Sequence, residues 1–257
     1  MPRSAAPWAE LGRTLAALER WLLPSECLVC QGAIGAEPCD PLICATCRHR
    51  WVSLPQPQCE RCGQPSTAAI ACRTCTGWPE EFGGVRSAVW LDDSARRAVH
   101  FLKYEGWRRV AEPMAQELAR RIPLARDVSL IPIPLGPTRL RTRGYNQSAV
   151  LATALAERLG VPVAEHALAR RRDTPTQTAL TPEARRANLA GAFVARRVPP
   201  RPVLVDDVFT TGATLVEAAQ ALLEAGAPAV SAVSFARAPR PLAAAAAAWR
   251  PTSWSLG

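Results

Sequence analysis

The sequence predicts an α/β protein, a mostly parallel sheet flanked by helices with a small cysteine-rich module ahead of it, and three observations carry that expectation. All nine cysteines lie between Cys27 and Cys75. Beyond Pro79, short apolar runs alternate with stretches of helical periodicity. One of those runs, Pro202-Val203-Leu204-Val205, ends in two adjacent acids, Asp206 and Asp207, and leads through a hydroxyl-rich turn into an Ala/Leu-rich stretch.

A hydrophobic content of 48% is ample for a buried core, and the length suits a small domain plus a medium one. The expected organisation is an N-terminal amphipathic helix (1–22), a cysteine module (23–79), an α/β domain (80–237) and an Ala/Trp tail (238–257). Residues 8–23 place Trp8, Leu11, Leu15, Leu18 and Leu22 at helical spacing. Glu10, Arg13, Glu19 and Arg20 interrupt any signal-peptide core, so this helix is expected to pack on the protein itself. No run of eighteen apolar residues occurs, which excludes a spanning helix. The formal net charge of +9 is carried almost wholly by arginine, the mark of a GC-rich genome, and its sign favours phosphate-bearing ligands. Lys103 is the only lysine, a hint of a specific task.

Eight of the cysteines form four C-x-x-C pairs: Cys27/Cys30, Cys44/Cys47, Cys59/Cys62 and Cys72/Cys75. Two thiolates separated by two residues bind one metal from a tight turn, and two such turns complete the tetrahedral four-sulfur shell that zinc prefers. Pairing in order gives one structural site from Cys27, Cys30, Cys44 and Cys47 and a second from Cys59, Cys62, Cys72 and Cys75; interleaved pairing is the alternative. Gly32 and Gly63 suit the knuckle turns. Disulfides would need an oxidising compartment and an export signal, and the spacings are not those of common ferredoxins. Cys39 is left over, as a free thiol or in place of Cys44.

In the body of the chain, strands are expected over 85–91, 128–133, 192–195, 203–205 and 229–235, and helices over 94–105, 112–121, 148–159 and 213–224. The first of these helices puts Ala95, Ala98, Val99 and Leu102 on one face and Arg96, His100 and Lys103 roughly opposite, as a solvated basic stripe. The strand over 203–205 presents its acids at the edge where ligands bind in open α/β sheets. Thr210, Thr211, Gly212, Ala213 and Thr214 then open a helix whose free N–H groups suit a phosphate. A Walker B strand would also read as apolar residues before an acid, but no G-x-x-x-x-G-K-[ST] accompanies it. After Ile131-Pro132-Ile133-Pro134-Leu135, the arginines Arg139, Arg141 and Arg143 precede Gly144, which suits a mobile loop that clamps a polyanion.

The run from Val203 to Leu215 resembles the signature of the type I phosphoribosyltransferases. That resemblance implies that Asp206 and Asp207 hold the ribose hydroxyls of phosphoribosyl pyrophosphate (PRPP), that Thr210 to Thr214 hold its 5′-phosphate, and that magnesium accompanies the pyrophosphate. Arg139 and Arg143 would then stabilise the leaving group, with Lys103 also at the ligand. Thr210 stands where the 6-oxopurine transferases carry a third acid, which counts against purine salvage. The ordered set of C-x-x-C pairs, Phe101-Leu102-Lys103-Tyr104, Ile131 to Leu135, Arg143-Gly144-Tyr145-Asn146-Gln147, Gln177-x-x-Leu180, Arg185-x-x-Asn188 and Val203 to Leu215 resembles the ComF (competence protein F, or GntX-like) family. This implies a double zinc ribbon before a phosphoribosyltransferase domain, a cytoplasmic location, and a role in DNA uptake with single-stranded DNA and uptake-machinery proteins as partners. A metabolic transferase for a small acceptor and a non-catalytic PRPP sensor are the competing functions.

Overall fold

The computed structural model describes residues 26–34, 42–65, 72, 74–172 and 191–239. The expected helix over 8–23, Cys39, the motif positions Gln177, Leu180, Arg185 and Asn188, and the Ala/Trp tail lie outside these residues. Strands β1 (Phe82–Trp90), β2 (Ser129–Pro132), β5 (Pro202–Phe209) and β6 (Val230–Arg237) form a parallel sheet in the order β1-β6-β5-β2. A separate antiparallel pair joins β3 (Leu168–Arg170) to β4 (Phe193–Ala195). The helices are α1 (Ala45–His49), α2 (Asp93–Tyr104), α3 (Ala111–Arg121), α4 (Pro137–Arg143), α5 (Gln147–Leu159) and α6 (Ala213–Glu224).

Both faces of the sheet are covered, and the strands therefore read as nearly continuous apolar runs; all four residues of β2 are buried. Alternation along β5 sorts the core. Val203 and Val205 pack with Ala98 and Leu102 of α2, Met114 of α3 and Leu151 of α5, whereas Leu204 packs with Leu215, Ala219 and Leu222 of α6. Asp207 follows the parity of Val203 and Val205, which brings it to the side of α2 and α5. The Asp92 side chain caps α2 by accepting from Ala95 N at 2.8 Å, and Asn146 caps α5 by accepting from Ser148 N at 3.0 Å.

Four expectations change. The arginine stretch is not a loop but the helix α4, because Pro137 supplies a fixed φ in the first turn where its missing N–H costs nothing, and Gly144 N closes the last turn on Leu140 O at 2.8 Å. The signature strand runs beyond Val205 to Phe209, since β6 continues to pair with it as far as Phe209↔Arg237. Three-residue β3 is too short to show periodicity and was not expected. Lys103 leaves the basic stripe of Arg96 and His100 and turns inward to Asp207.

The cysteine module and the sheet share their cores. Cys27, Val29, Ile43, Cys47 and Trp51 belong to the cluster that contains α2, α3 and α5, and the Trp51 ring meets Phe235 of β6 edge-on, 4.9 Å between centroids. Edge strand β1 is capped by the second knuckle, where Val85 N donates to Arg61 O at 2.7 Å. A Cβ on Gly84 (φ 121) would lie 2.1 Å from Arg61 O, so this approach requires glycine. Buried Arg237 at the end of β6 donates to Cys62 O at 2.6 Å and to Gln64 Oε1 at 2.9 Å.

Candidate functional site

The eight paired cysteines gather in two groups, Cys27 with Cys30, Cys44 and Cys47, and Cys59 with Cys62, Cys72 and Cys75; within each group the four sulfurs lie within 4.8 Å of one another. Pairing is thus in order along the chain. The two knuckles are built alike: Cys27 N donates to Gly32 O at 2.9 Å and Cys59 N to Gln64 O at 2.8 Å, each closing a tight hairpin. The left-handed residue is Gly63 in the second knuckle but Gln31, not Gly32, in the first. Sulfur separations of 3.8 Å (Cys30–Cys44), 3.7 Å (Cys59–Cys75) and 3.5 Å (Cys62–Cys72) fit the ~3.8 Å edge of a tetrahedron with Zn–S bonds of about 2.3 Å.

The chemistry of the donors agrees with a resident cation. Burial opposes charge on Cys27 and Cys72, yet backbone N–H groups of Cys44, Cys30 and Val29 draw the first down to about 7, and the Thr74 N–H draws the second to about 6. Burial and the neighbouring sulfurs push Cys47 and Cys75 far up. Four thiolates in so small a space need a metal to balance them, and the sites are closed, as structural zinc sites are. Purified protein is expected to carry about two zinc ions per chain by mass spectrometry under native conditions; one ion, or iron with visible absorbance, would overturn the two-site assignment.

At the C-terminal end of β5 the two acids have unlike surroundings. Asp207 is 2% exposed; its Oδ1 accepts from Gln147 Nε2 at 3.2 Å and its Oδ2 pairs with Lys103 Nζ. Asp206 is half-buried, and its Oδ1 accepts from Ser148 Oγ at 2.9 Å and from Asp207 N at 2.9 Å. Burial, then the adjacent Asp207 charge, push Asp206 up to about 7. Burial also opposes ionisation of Asp207, but the Lys103 ammonium and the Gln147 amide outweigh it and hold this carboxyl below its usual range. Lys103 in turn is held above its ordinary value by Asp207 and Asp206, against the burial that would lower it.

The turn after β5 starts α6 at Ala213, with Gly212 as its N-cap at φ 82. Thr211 Oγ1 accepts weakly from Ala213 N at 3.5 Å, Thr210 is exposed, and Thr214 lies in the first turn. A Cβ on Gly212 would come within 2.9 Å of both the Phe209 and Trp78 rings, so this turn is seated on an aromatic wall that includes the cysteine module's last tryptophan. The first turn of a twelve-residue helix with no side-chain cap is left open to an anion.

Of the arginines, Arg143 reaches the acids at one remove: its guanidinium donates to Gln147 Oε1, and Gln147 donates to Asp207. Arg139 and Arg141 are exposed on α4, where Arg141 contacts Thr138 Oγ1 at 3.4 Å. The structure brings Asp206, Asp207 and Lys103 together and leaves Arg139 and Arg141 apart from them. Gln147 and Ser148 carry no role in the sequence reading. The signal was present for Gln147, the last residue of the Arg143-Gly144-Tyr145-Asn146-Gln147 motif, with Ser148 next to it in the first turn of α5.

Residues 18–76 match the double zinc ribbon domain and residues 146–252 the phosphoribosyl transferase domain. Fold and site together define a phosphoribosyltransferase-like protein with a double zinc ribbon at its N-terminal side. The DNA utilization protein YhgH of Salmonella typhimurium is 32% identical over 199 residues, 73% of this chain and 86% of that one. Competence protein F of Haemophilus influenzae is 38% identical over 115 residues, 43% and 50% of the two chains, and competence protein ComFC of Bacillus subtilis is 25% identical over 196, 73% and 80%. The chain belongs to the ComF family. Among the described residues no helix is long and apolar enough to cross a membrane.

Proposed function

We propose that this protein binds PRPP with magnesium at Asp206 and the loop of Thr210, Thr211, Gly212, Ala213 and Thr214, and that it acts on or with incoming single-stranded DNA in natural transformation. The observation that carries the reading is the half-buried Asp206 carboxylate beside the open first turn of α6, one able to accept from ribose hydroxyls and the other suited to a phosphate. Lys103 neutralises Asp207, so the pair does not form a cage for a bare cation. It suits magnesium that arrives on substrate phosphates and takes one or two carboxylates from the protein. The names of the relatives supply the DNA part of the reading. Its partners are PRPP, the entering strand and proteins of the uptake machinery, met in the cytoplasm, and the domain limits near residues 22, 79 and 237 belong to the same reading.

Calorimetric titration with PRPP and magnesium, with and without single-stranded DNA, tests it, and coupling between the ligands would appear as a changed affinity. Asp206→Asn is the informative variant. It keeps the volume and spares the Lys103–Asp207 pair, whereas removing both acids would strand a buried ammonium. The variant is expected to bind PRPP at least about tenfold more weakly, the loss of a hydrogen bond to a charged acceptor. Unchanged affinity in the folded variant ends the proposal.

The pH dependence follows from the same acid. Hydroxyls bind the ionised carboxylate, so with Asp206 at about 7, PRPP affinity should rise as pH increases through 7, with proton release on binding. Asp206→Asn should flatten that rise. For the ligand-free fold the sign is opposite: a carboxyl raised in the folded state gives stability that is complete below its unfolded value of 3.8 and is lost as pH climbs toward 7. Pyrophosphate release from PRPP would separate a transferase from a protein that only senses the ligand.

A further inference from the structure

Four large apolar side chains stand out as exposed among the described residues: Val52, Tyr104, Trp107 and Leu140. Three of them lie on neighbouring elements: Tyr104 in the last turn of α2, Trp107 in the turn after it, and Leu140 on α4, whose Arg143 reaches the Tyr104 ring. Tyr104 is 67% exposed, Trp107 43% and Leu140 43%. Single exposed apolar residues are ordinary; three of four on adjoining elements are not.

Cations lie over the exposed Tyr104 ring and over Tyr145, whose hydroxyl donates to Leu102 O in the same last turn of α2. The Arg143 guanidinium lies 5.2 Å from the Tyr104 ring centre, and that of Arg108 lies 4.5 Å from the Tyr145 ring centre. Leu140 also lines a groove of about 720 Å³, together with Tyr145, Leu168, Arg108, Arg109 and Arg196. Exposed Arg139 and Arg141 continue the positive surface along α4. The nearest acids are partly matched: Glu105 faces His100 at 3.9 Å and Glu112 faces Arg109 at 3.7 Å, while Glu157 and Glu165 also line the groove.

This composition separates two kinds of occupant. A protein partner docks on a patch whose centre is depleted of charge. Here arginines sit at the centre, against the ring faces, an arrangement suited to a ligand that is both polyanionic and rich in flat π-surfaces. Unpaired nucleic acid has that chemistry, and base–aromatic stacking combined with a cationic track is how it is held without regard to sequence. Position adds to this: Lys103 turns in to Asp207 while its neighbour Tyr104 points out, so one helical turn serves both the acid pair and the open face.

We infer that Tyr104 and Trp107, with Arg108, Arg139 and Arg143, form a stacking platform for the bases of single-stranded nucleic acid. The inference rests on the DNA part of the proposed function and assigns it a surface on the α/β domain.

The test is fluorescence anisotropy of the full chain with labelled oligo-dT of about 20 nucleotides, longer than a typical site of ~4–16, beside an abasic strand of equal length that keeps the phosphates and lacks the bases. Wild type should prefer oligo-dT. Tyr104→Ala with Trp107→Ala should bind oligo-dT at least about tenfold more weakly, with abasic binding and the salt dependence unchanged because the phosphate contacts remain. Tyr104→Phe with Trp107→Phe should keep the preference. A far-ultraviolet circular dichroism spectrum like that of wild type checks that each variant is folded. Wild-type affinity for oligo-dT in the alanine variant, or equal loss for both strands, overturns the platform and leaves the face to a protein partner. If wild type binds neither strand even at low salt, the DNA part of the proposed function falls as well, while the PRPP titration stands on its own.

Discussion

Stripping the metal from this protein with a chelator is expected to unfold far more than the cysteine module. Structural four-thiolate zinc contributes on the order of 10 kcal/mol or more to the segment it folds, which matches the whole ~5–15 kcal/mol stability of a typical domain. The module is not a detachable bead. Cys27, Cys47 and Trp51 lie in the same buried cluster as α2, α3 and α5, Trp51 packs on Phe235, Trp90 N donates to Val52 O at 2.8 Å, and the second knuckle covers edge strand β1. Loss of metal would also free the Arg61 carbonyl from Val85 and the Cys62 carbonyl from buried Arg237. The near-ultraviolet circular dichroism of the tryptophans should therefore collapse across the protein, and amide protection in β1 and β6 should fall together with that of the knuckles. Protection in β6 that survives in the metal-free protein would show two independent folding units.

The features legible in advance were those with strong local chemistry. C-x-x-C spacing located both sulfur clusters, and helical periodicity placed α6 at 213–224 to the residue. Alternation of strands and helices anticipated the parallel sheet. The features that were not legible depend on where elements lie in space. Lys103 sits on the polar side of α2 by sequence spacing, yet α2 packs beside β5 so that its last turn overlies Asp207. Arg139, Arg141 and Arg143 read as a mobile polyanion loop because they alternate ahead of a glycine, and helix formation was decided instead by Pro137 and Gly144 at the ends. Gln147 ends a family motif and Ser148 follows it, but nothing in the sequence assigns either a role; they matter because α5 begins where both side chains reach the acids of β5.

Lys103→Met should be the most destabilising single substitution in the ligand site. The ammonium is the charge that lets Asp207 remain ionised at 2% exposure, and removing one partner of a buried pair typically costs ~3–5 kcal/mol. The effect should have a distinct pH signature. In the wild type Asp207 is held below its unfolded 3.8, so its stabilising contribution is complete above 3.8 and is lost as pH falls through the lower folded value. Without Lys103, burial and the adjacent Asp206 would raise Asp207 above 3.8, and the sign reverses: the variant is then at its best in acid and loses stability as pH rises. The gap between wild type and variant should thus be wide at neutral pH and narrow toward pH 4, measured by urea unfolding at each pH. Adding Asp207→Asn to Lys103→Met removes the stranded charge and should recover part of the loss at neutral pH, since the amide keeps Gln147 within reach. A gap that does not vary with pH, or a double variant no more stable than the single one, would mean that Lys103 contributes packing alone and that the acids at the end of β5 do not depend on its charge.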